Sequence, residues 1–300
     1  QVELHTRKST PRMVFEGIQR FTVGLAEKVL IADYCGQIIR RLADLGSDTM
    51  LVGAWLSAIM FTFQLYFDFC GYSDMAIGLG RMFGFRYCEN FDLPYTSKSI
   101  TEFWRRWHMS LGTFFRDYVY IPLGGNRRGV GRTYLNMLIV WLLTGLWHGA
   151  AWNYILWGLF FFVVLALERA FLGKLLQRAP AVVGHVWTLA IAVFSFYLFV
   201  FDGSVATLDL SHALSYGAAM FGGAPLASGA LWYELSRNAL LLVALCLAAT
   251  PLPKRLATRL RDRAPAFSEA LTIVLSLGAL VLCTAYLVDS SYNPFLYFRF

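Results

Sequence analysis

Two histidines, His108 and His148, stand forty positions apart, the first in an aromatic and basic segment and the second in an apolar, aromatic-rich run. His148 sits near the middle of Asn136–Trp157, a stretch apolar enough to lie in a bilayer. An ionisable side chain at membrane depth is expensive to keep, which makes it a candidate for function. Burial disfavours the imidazolium, so the neutral ring stays available to accept a proton. His148 is thus a candidate general base: it could take the proton of an acceptor hydroxyl while that oxygen attacks a thioester carbonyl. His108 could position the substrate or stabilise charge developing on the carbonyl oxygen. The competing reading makes both rings packing groups, His108 bonded to a backbone carbonyl and His148 to a neighbouring helix. His5, His185 and His212 lie near loops or segment ends and receive no role.

A helical side chain leans back over the preceding turn. His148 is therefore expected over Thr144 and Gly145, with Gly149 following, where small residues leave room for a ligand. Around His108 the chain is basic: Arg105, Arg106, Arg116, Arg127 and Arg128 accompany Glu102 and Asp117. The guanidinium fork matches phosphate oxygens, so some of these arginines are candidate binders of a phosphate-bearing donor. An aromatic and basic belt at a membrane interface is the other reading. Arg105, Arg106 and Arg116, with Trp104, Asp117, Asn126, Trp147 and Asp74, make up the candidate substrate-binding set. Glu102 is placed to pair with Arg106 at i,i+4.

Other chemistries lack support. No serine stands in a nucleophile elbow, and two histidines without further ligands at sensible spacing do not make a metal site. The five cysteines (Cys35, Cys70, Cys88, Cys246, Cys283) form no C-x-x-C pair and imply neither zinc nor a disulfide framework. Gly71, Gly78, Gly80 and Gly84 miss the dinucleotide fingerprint and read instead as close helix packing.

These groups must be held by membrane elements. The chain of 300 residues is 57% hydrophobic and only 15% charged, where a soluble domain carries about 25% charge. Long apolar runs at Leu51–Phe67, Leu135–Leu167, Val182–Phe201, Leu231–Ala249 and Leu271–Leu287 approach spanning length. The expectation is an all-α, polytopic membrane protein. The net charge of +7 resides in short loops between these runs, the pattern of positive-inside orientation rather than of nucleic-acid binding. A helix is expected over Met13–Ile39, at the interface or facing other helices. A spanning helix over Thr49–Phe67 is expected to end at Asp68, with a new one starting near Ser73 and capped by its carboxylates. One helix is expected over Thr101–Tyr118, placing Trp104, His108 and Leu111 on one face. Basic loops flank Leu135–Leu167 on both sides, yet about 33 residues are short for two crossings. A broken or re-entrant hairpin, turning near Gly149 with His148 at its inner end, is expected, with a single ordinary crossing as the alternative.

Several motifs are long and in order. Phe103-Trp-Arg-Arg-Trp-His108, Phe115-Arg-Asp-Tyr-Val-Tyr-Ile-Pro-Leu-Gly-Gly-Asn126 and Gly145-Leu-Trp-His-Gly-Ala150 resemble the membrane-bound O-acyltransferase family. Phe67–Gly78, Glu89–Tyr95 and the closing Asn293–Phe300 are similar to its bacterial, alginate O-acetylation branch. Cys70 departs from the serine or similar small residue expected there. The resemblance implies one transmembrane domain over 1–300, with core motifs in 68–157 and N-terminal helices missing from this fragment. It implies an inner-membrane O-acetyltransferase with a tunnel through the bilayer, in which His148 is catalytic and His108 occupies the second site. It further implies an acetyl group from acetyl-CoA as donor substrate, no bound cofactor, and transfer toward an exported polysaccharide such as alginate. Periplasmic acetyltransferase partner proteins are implied, besides the lipid bilayer, and no nucleic acid. Peptidoglycan, cellulose and D-alanylated teichoic acid are alternative acceptors. A transporter or a scaffold of a secretion complex, without chemistry, is the reading from another class.

Overall fold

The computed structural model describes residues 8–149, 151–200 and 210–289. His5, Ala150 and the closing Asn293–Phe300 motif lie outside the described residues. In chain order the helices are α1 (Pro11–Ala26), α2 (Asp33–Asp44), α3 (Leu51–Met82), α4 (Ile100–Arg106), α5 (Met109–Phe115), α6 (Val130–His148) and α7 (Trp152–Leu167). They continue as α8 (Gly173–Arg178), α9 (Ala181–Val200), α10 (Leu210–Met220), α11 (Gly229–Arg237), α12 (Ala239–Ala248), α13 (Leu252–Arg263) and α14 (Pro265–Asp289). Wider π-helical turns occupy Glu27–Ala32, Arg116–Tyr120 and Glu168–Leu172. The described residues hold no strand, as the all-α expectation requires. Four helical stretches among them are long and apolar enough to cross a membrane: Leu51–Met82, Trp152–Arg178, Ala181–Phe199 and Pro265–Asp289. The pair α11 and α12 makes a fifth if counted as one broken span.

The chain divides into two compact units, residues 1–40, 63–90 and 239–300 in the first, 41–62 and 91–238 in the second. In the first unit α1 starts at Pro11, preset for a first helical turn, with the Thr10 hydroxyl accepting from Met13 N at 3.2 Å. Gly17 and Gly24 of α1 lie against the backbone of α3 at Gly78 and Gly71, where a methyl group would collide with carbonyl oxygens. Small residues thus let two helices touch. Several charged residues of this unit pair with one another. Lys28 Nζ is 2.7 Å from both Asp33 and Asp68, and Arg20 is 2.6 Å from both Asp74 and Glu89.

Those pairs correct one expectation. α3 is a single helix of 32 residues, not two helices meeting near Ser73. Asp68 and Asp74 lie inside it and cap nothing. They are tolerated because cations forty and fifty-four positions earlier in the chain meet them.

In the second unit Trp55 and Tyr216 bond across to backbone carbonyls of Met220 and Ala54, at 2.9 and 2.8 Å. The hairpin read from the charge flanks is present: α6 ends at His148, Gly149 turns the chain, and α7 begins at Trp152. Gly149 has φ 155°, a backbone closed to L side chains, and the Tyr154 ring fills the place of its absent Cβ. Gly145 meets the backbone of Tyr154, and Gly158 meets that of Trp141, so the two arms touch through hydrogens alone. The helix expected over Thr101–Tyr118 is broken instead. α4 stops at Arg106, Trp107 is extended, and His108 adopts the left-handed conformation (φ 46°, ψ 53°) before α5.

Candidate functional site

α4 brings the aromatic residues of its motif inward. Phe103 is fully buried and Trp107 nearly so, stacked on each other at 5.6 Å between centroids. Trp104 packs edge-on against Trp141, Trp157 and Phe161, at 4.8 to 5.6 Å. The indole N–H groups of Trp104 and Trp157 are sealed from solvent and meet no acceptor among the described residues. Unpaired donors of that kind are rare in native interiors.

The first turn of α4 is fully satisfied. Ser99 Oγ accepts from Glu102 N at 3.0 Å, while Glu102 Oε2 accepts from Lys98 N at 2.9 Å. The two remaining amides, Ile100 N and Thr101 N, donate to Glu168 at 2.7 and 2.9 Å.

Past the end of α4, His108 holds a left-handed conformation that is uncommon outside glycine and marks a residue held by its surroundings. Its Nδ1 lies 3.3 Å from Ser110 Oγ. Its ring meets Trp147 edge-on at 5.8 Å, and Trp147 in turn meets His148 at 5.0 Å. One indole therefore neighbours both imidazoles, forty positions apart in sequence. Burial, and then the proximity of His148, hold the His108 pKa down to about 3. The His108 ring is neutral at physiological pH.

His148 sits in an aromatic cage. Trp157 and Phe199 face its ring edge-on at 5.2 and 5.1 Å, with Tyr154 at 6.3 Å. The room expected at Gly145 is taken by the α7 backbone, so that glycine serves the hairpin and not a ligand. Space opens on the other side. A cavity of about 290 Å³ is lined by His108, Trp104, Trp107, Leu111, Val140, Trp141 and Thr144, among others. Trp147 and His148 are both outside that lining, beyond Thr144 on α6. A larger cleft of about 670 Å³ shares Thr101, Arg105, Met137 and Leu165 with this cavity and adds Lys98, Arg169 and Glu168. A polar, partly cationic opening thus adjoins an apolar chamber ending at an imidazole.

The remaining candidates separate by task. Arg105 lines both spaces and makes no ion pair among the described residues. Arg106 is committed to structure: it meets Glu102 at 2.8 Å and reaches Asp92 and Thr96. Arg116 lines the smaller cavity, but its guanidinium grips its exposed neighbour Asp117 at 2.7 Å. Asn126 is exposed and accepts from Tyr120 OH at 2.5 Å. Asp74 belongs to the first unit and its Arg20 pair. The residues that sequence reasoning passed over are Glu168, Trp141, Tyr154, Trp157 and Phe199. Of these only Glu168 carried a signal, as an acid at the end of a sixteen-residue apolar helix.

Comparison with known proteins bears on what such a site serves. The chain is 40% identical to the probable alginate O-acetylase AlgI of Pseudomonas putida over 321 residues, covering 99% of this chain and 64% of the relative. It is 57% identical over 155 residues to the protein of that name from Azotobacter vinelandii, covering 52% of this chain and 31% of the relative. The peptidoglycan O-acetyltransferase of Helicobacter pylori is 42% identical over 160 residues, covering 53% of this chain and 30% of that protein. The chain spans less than two thirds of the length of each. The family model of the membrane-bound O-acyltransferases matches residues 2–211, which contain both histidines, both cavities and the α6–α7 hairpin, and the chain belongs to that family.

Proposed function

We propose that this chain forms the reaction centre of a membrane O-acetyltransferase with His148 as general base. The observation that carries it is the pair of imidazoles on either side of Trp147, one of which, His108, lines a cavity that adjoins a basic cleft. In the reaction the acceptor hydroxyl gives its proton to His148 and its oxygen attacks the thioester carbonyl. The C–S bond then breaks, and the thiol leaves with a proton returned from the imidazolium. A neutral, desolvated imidazole suits the first step. His108, or an unpaired indole N–H of the aromatic cluster, is placed to donate toward the carbonyl oxygen only if it carries a proton there; neutral His108 can do so through one ring nitrogen.

The donor we favour is acetyl-CoA, entering from the cytoplasmic face of the inner membrane. Lys98, Arg105 and Arg169 around the larger cleft support it, since cations at a cleft mouth suit phosphates. The acceptor we favour is a hydroxyl of an exported polysaccharide such as alginate, reached with periplasmic acetyltransferase partners. The names of the relatives from Pseudomonas putida and Azotobacter vinelandii support alginate, and that from Helicobacter pylori supports peptidoglycan as the second reading.

The test is acetyl transfer from labelled acetyl-CoA in membranes containing the full-length protein, with His148→Ala alongside. Loss of transfer in a variant that keeps its melting transition is expected. Transfer at the native rate by folded His148→Ala overturns the proposal. For the orientation, Arg128→Cys, in a background lacking the exposed Cys88 and Cys246, should react with an impermeant thiol reagent from the cytoplasmic side. Labelling from the periplasmic side contradicts it.

A further inference from the structure

We propose that Glu168 is a positioning residue for this reaction: one buried carboxylate locks the helix that leads into His108 to the hairpin that carries His148. The inference rests on the function proposed above. Glu168 is 5% exposed and lies within the stretch Trp152–Arg178 that is long and apolar enough to span a membrane. A carboxylate in such a stretch is expected to have a task and named partners.

Its partners are unusually complete. Oε1 accepts from Ile100 N at 2.7 Å and from Trp187 Nε1 at 3.0 Å. Oε2 accepts from Thr101 N at 2.9 Å and from Thr101 Oγ1 at 2.7 Å. Four donors from two other segments converge on one carboxylate, and no cation pairs with it among the described residues. The charge is met instead by the amide end of α4, where the helix dipole favours a negative group.

The geometry says what this grip is for. α4 has only seven residues and its far end is irregular, with Trp107 extended and His108 left-handed. A short helix moves as a rigid body, so its N-terminal anchor sets where His108 falls. The anchor sits at the end of α7, the same helix whose start follows His148 across the hairpin turn. Glu168 thereby fixes the two imidazoles relative to each other through a single helix. Trp187 of α9 closes the bond set from a third side and lines neither cavity.

The experiment compares Glu168→Gln and Trp187→Phe with wild type in membranes holding the full-length protein, measuring kcat, donor KM and melting. Gln is the same shape but turns an N–H₂ toward donors. We expect Glu168→Gln to lower kcat by about 10²-fold, the scale of a 1 Å misplacement, with donor KM little changed. Trp187→Phe, which removes one donor of four, should lower kcat several-fold and serves if Glu168→Gln fails to fold. Folded variants with the wild-type kcat overturn the proposal, as does a rise in donor KM with kcat untouched, which would make Glu168 a donor contact. A merely structural role would lower the melting temperature and leave the kcat of the folded fraction intact, and that too overturns it. His148→Ala is run in parallel. If it is fully active, the general-base reading fails; if it is inactive while Glu168→Gln turns over normally, only the positioning role fails.

Discussion

Two clusters, one in each unit, surround their polar groups in opposite ways. In the first, Lys28 lies between Asp33 and Asp68, and Arg20 between Asp74 and Glu89, so each cation is shared by two carboxylates. In the second, His108 and His148 are surrounded by Trp147, Tyr154, Trp157 and Phe199, and the histidine pair stays uncharged. Paired ions hold one geometry. Neutral imidazoles among rings can take up a proton when a reaction supplies one. The first arrangement suits architecture and the second suits turnover, and the contrast can be broken by mutation.

The largest expected effect is on rate. His148→Ala should reduce acetyl transfer by about 10³-fold, within the range for a general base, and leave thermal unfolding in detergent nearly unmoved. Next comes Lys28→Met, which removes the cation that Asp33 and the 1% exposed Asp68 share. Removing one partner of a buried pair should cost about 3 kcal/mol of stability, read as a lowered melting temperature, while the folded fraction turns over normally. Lys28→Met combined with Asp68→Leu should recover much of that loss; a double variant as unstable as the single one would count against charge pairing as the reason.

The units should also differ in the pH at which they weaken. The pKa of His108 is about 3 in the fold against 6.5 outside it, through burial and then His148. The unfolded chain binds the proton first, so stability falls as pH drops below about 6.5, and His108→Asn should flatten that acid limb. Glu27 behaves conversely. One of its oxygens is sealed without a partner, and burial, aided by Asp74 and opposed by Arg20, pushes its pKa up to about 8 from 4.5. The fold holds that proton longer than the unfolded chain does. Stability contributed this way is complete below pH 4.5 and is lost as pH rises through 8, and Glu27→Gln should flatten the alkaline limb. The smallest effect belongs to the exposed Arg116–Asp117 pair: Asp117→Asn should leave melting unchanged, since such pairs contribute little.

How much of this could be read from residues alone depends on range. The α6–α7 hairpin was legible because basic loops flank one apolar run on both sides, and Gly149 supplied the break. The Glu102–Arg106 pair was legible because it is local. The continuity of α3 was hidden, since Asp68 and Asp74 look like a helix end until Lys28 and Arg20 are seen beside them. The break at His108 was hidden too: a left-handed histidine leaves no periodic trace. Glu168 was overlooked because its donors come from Ile100 and Thr101, nearly seventy positions away.

The contact between Gly145 and Gly158 across the hairpin has a consequence for how this site can vary. Neither residue carries a side chain, yet together they set the thickness of the wall on which His148 is mounted. A single methyl group at either position would wedge the arms apart and carry the imidazole with it. The separation of the two arms is thus encoded in two hydrogens, at positions where a survey of reactive groups would find nothing.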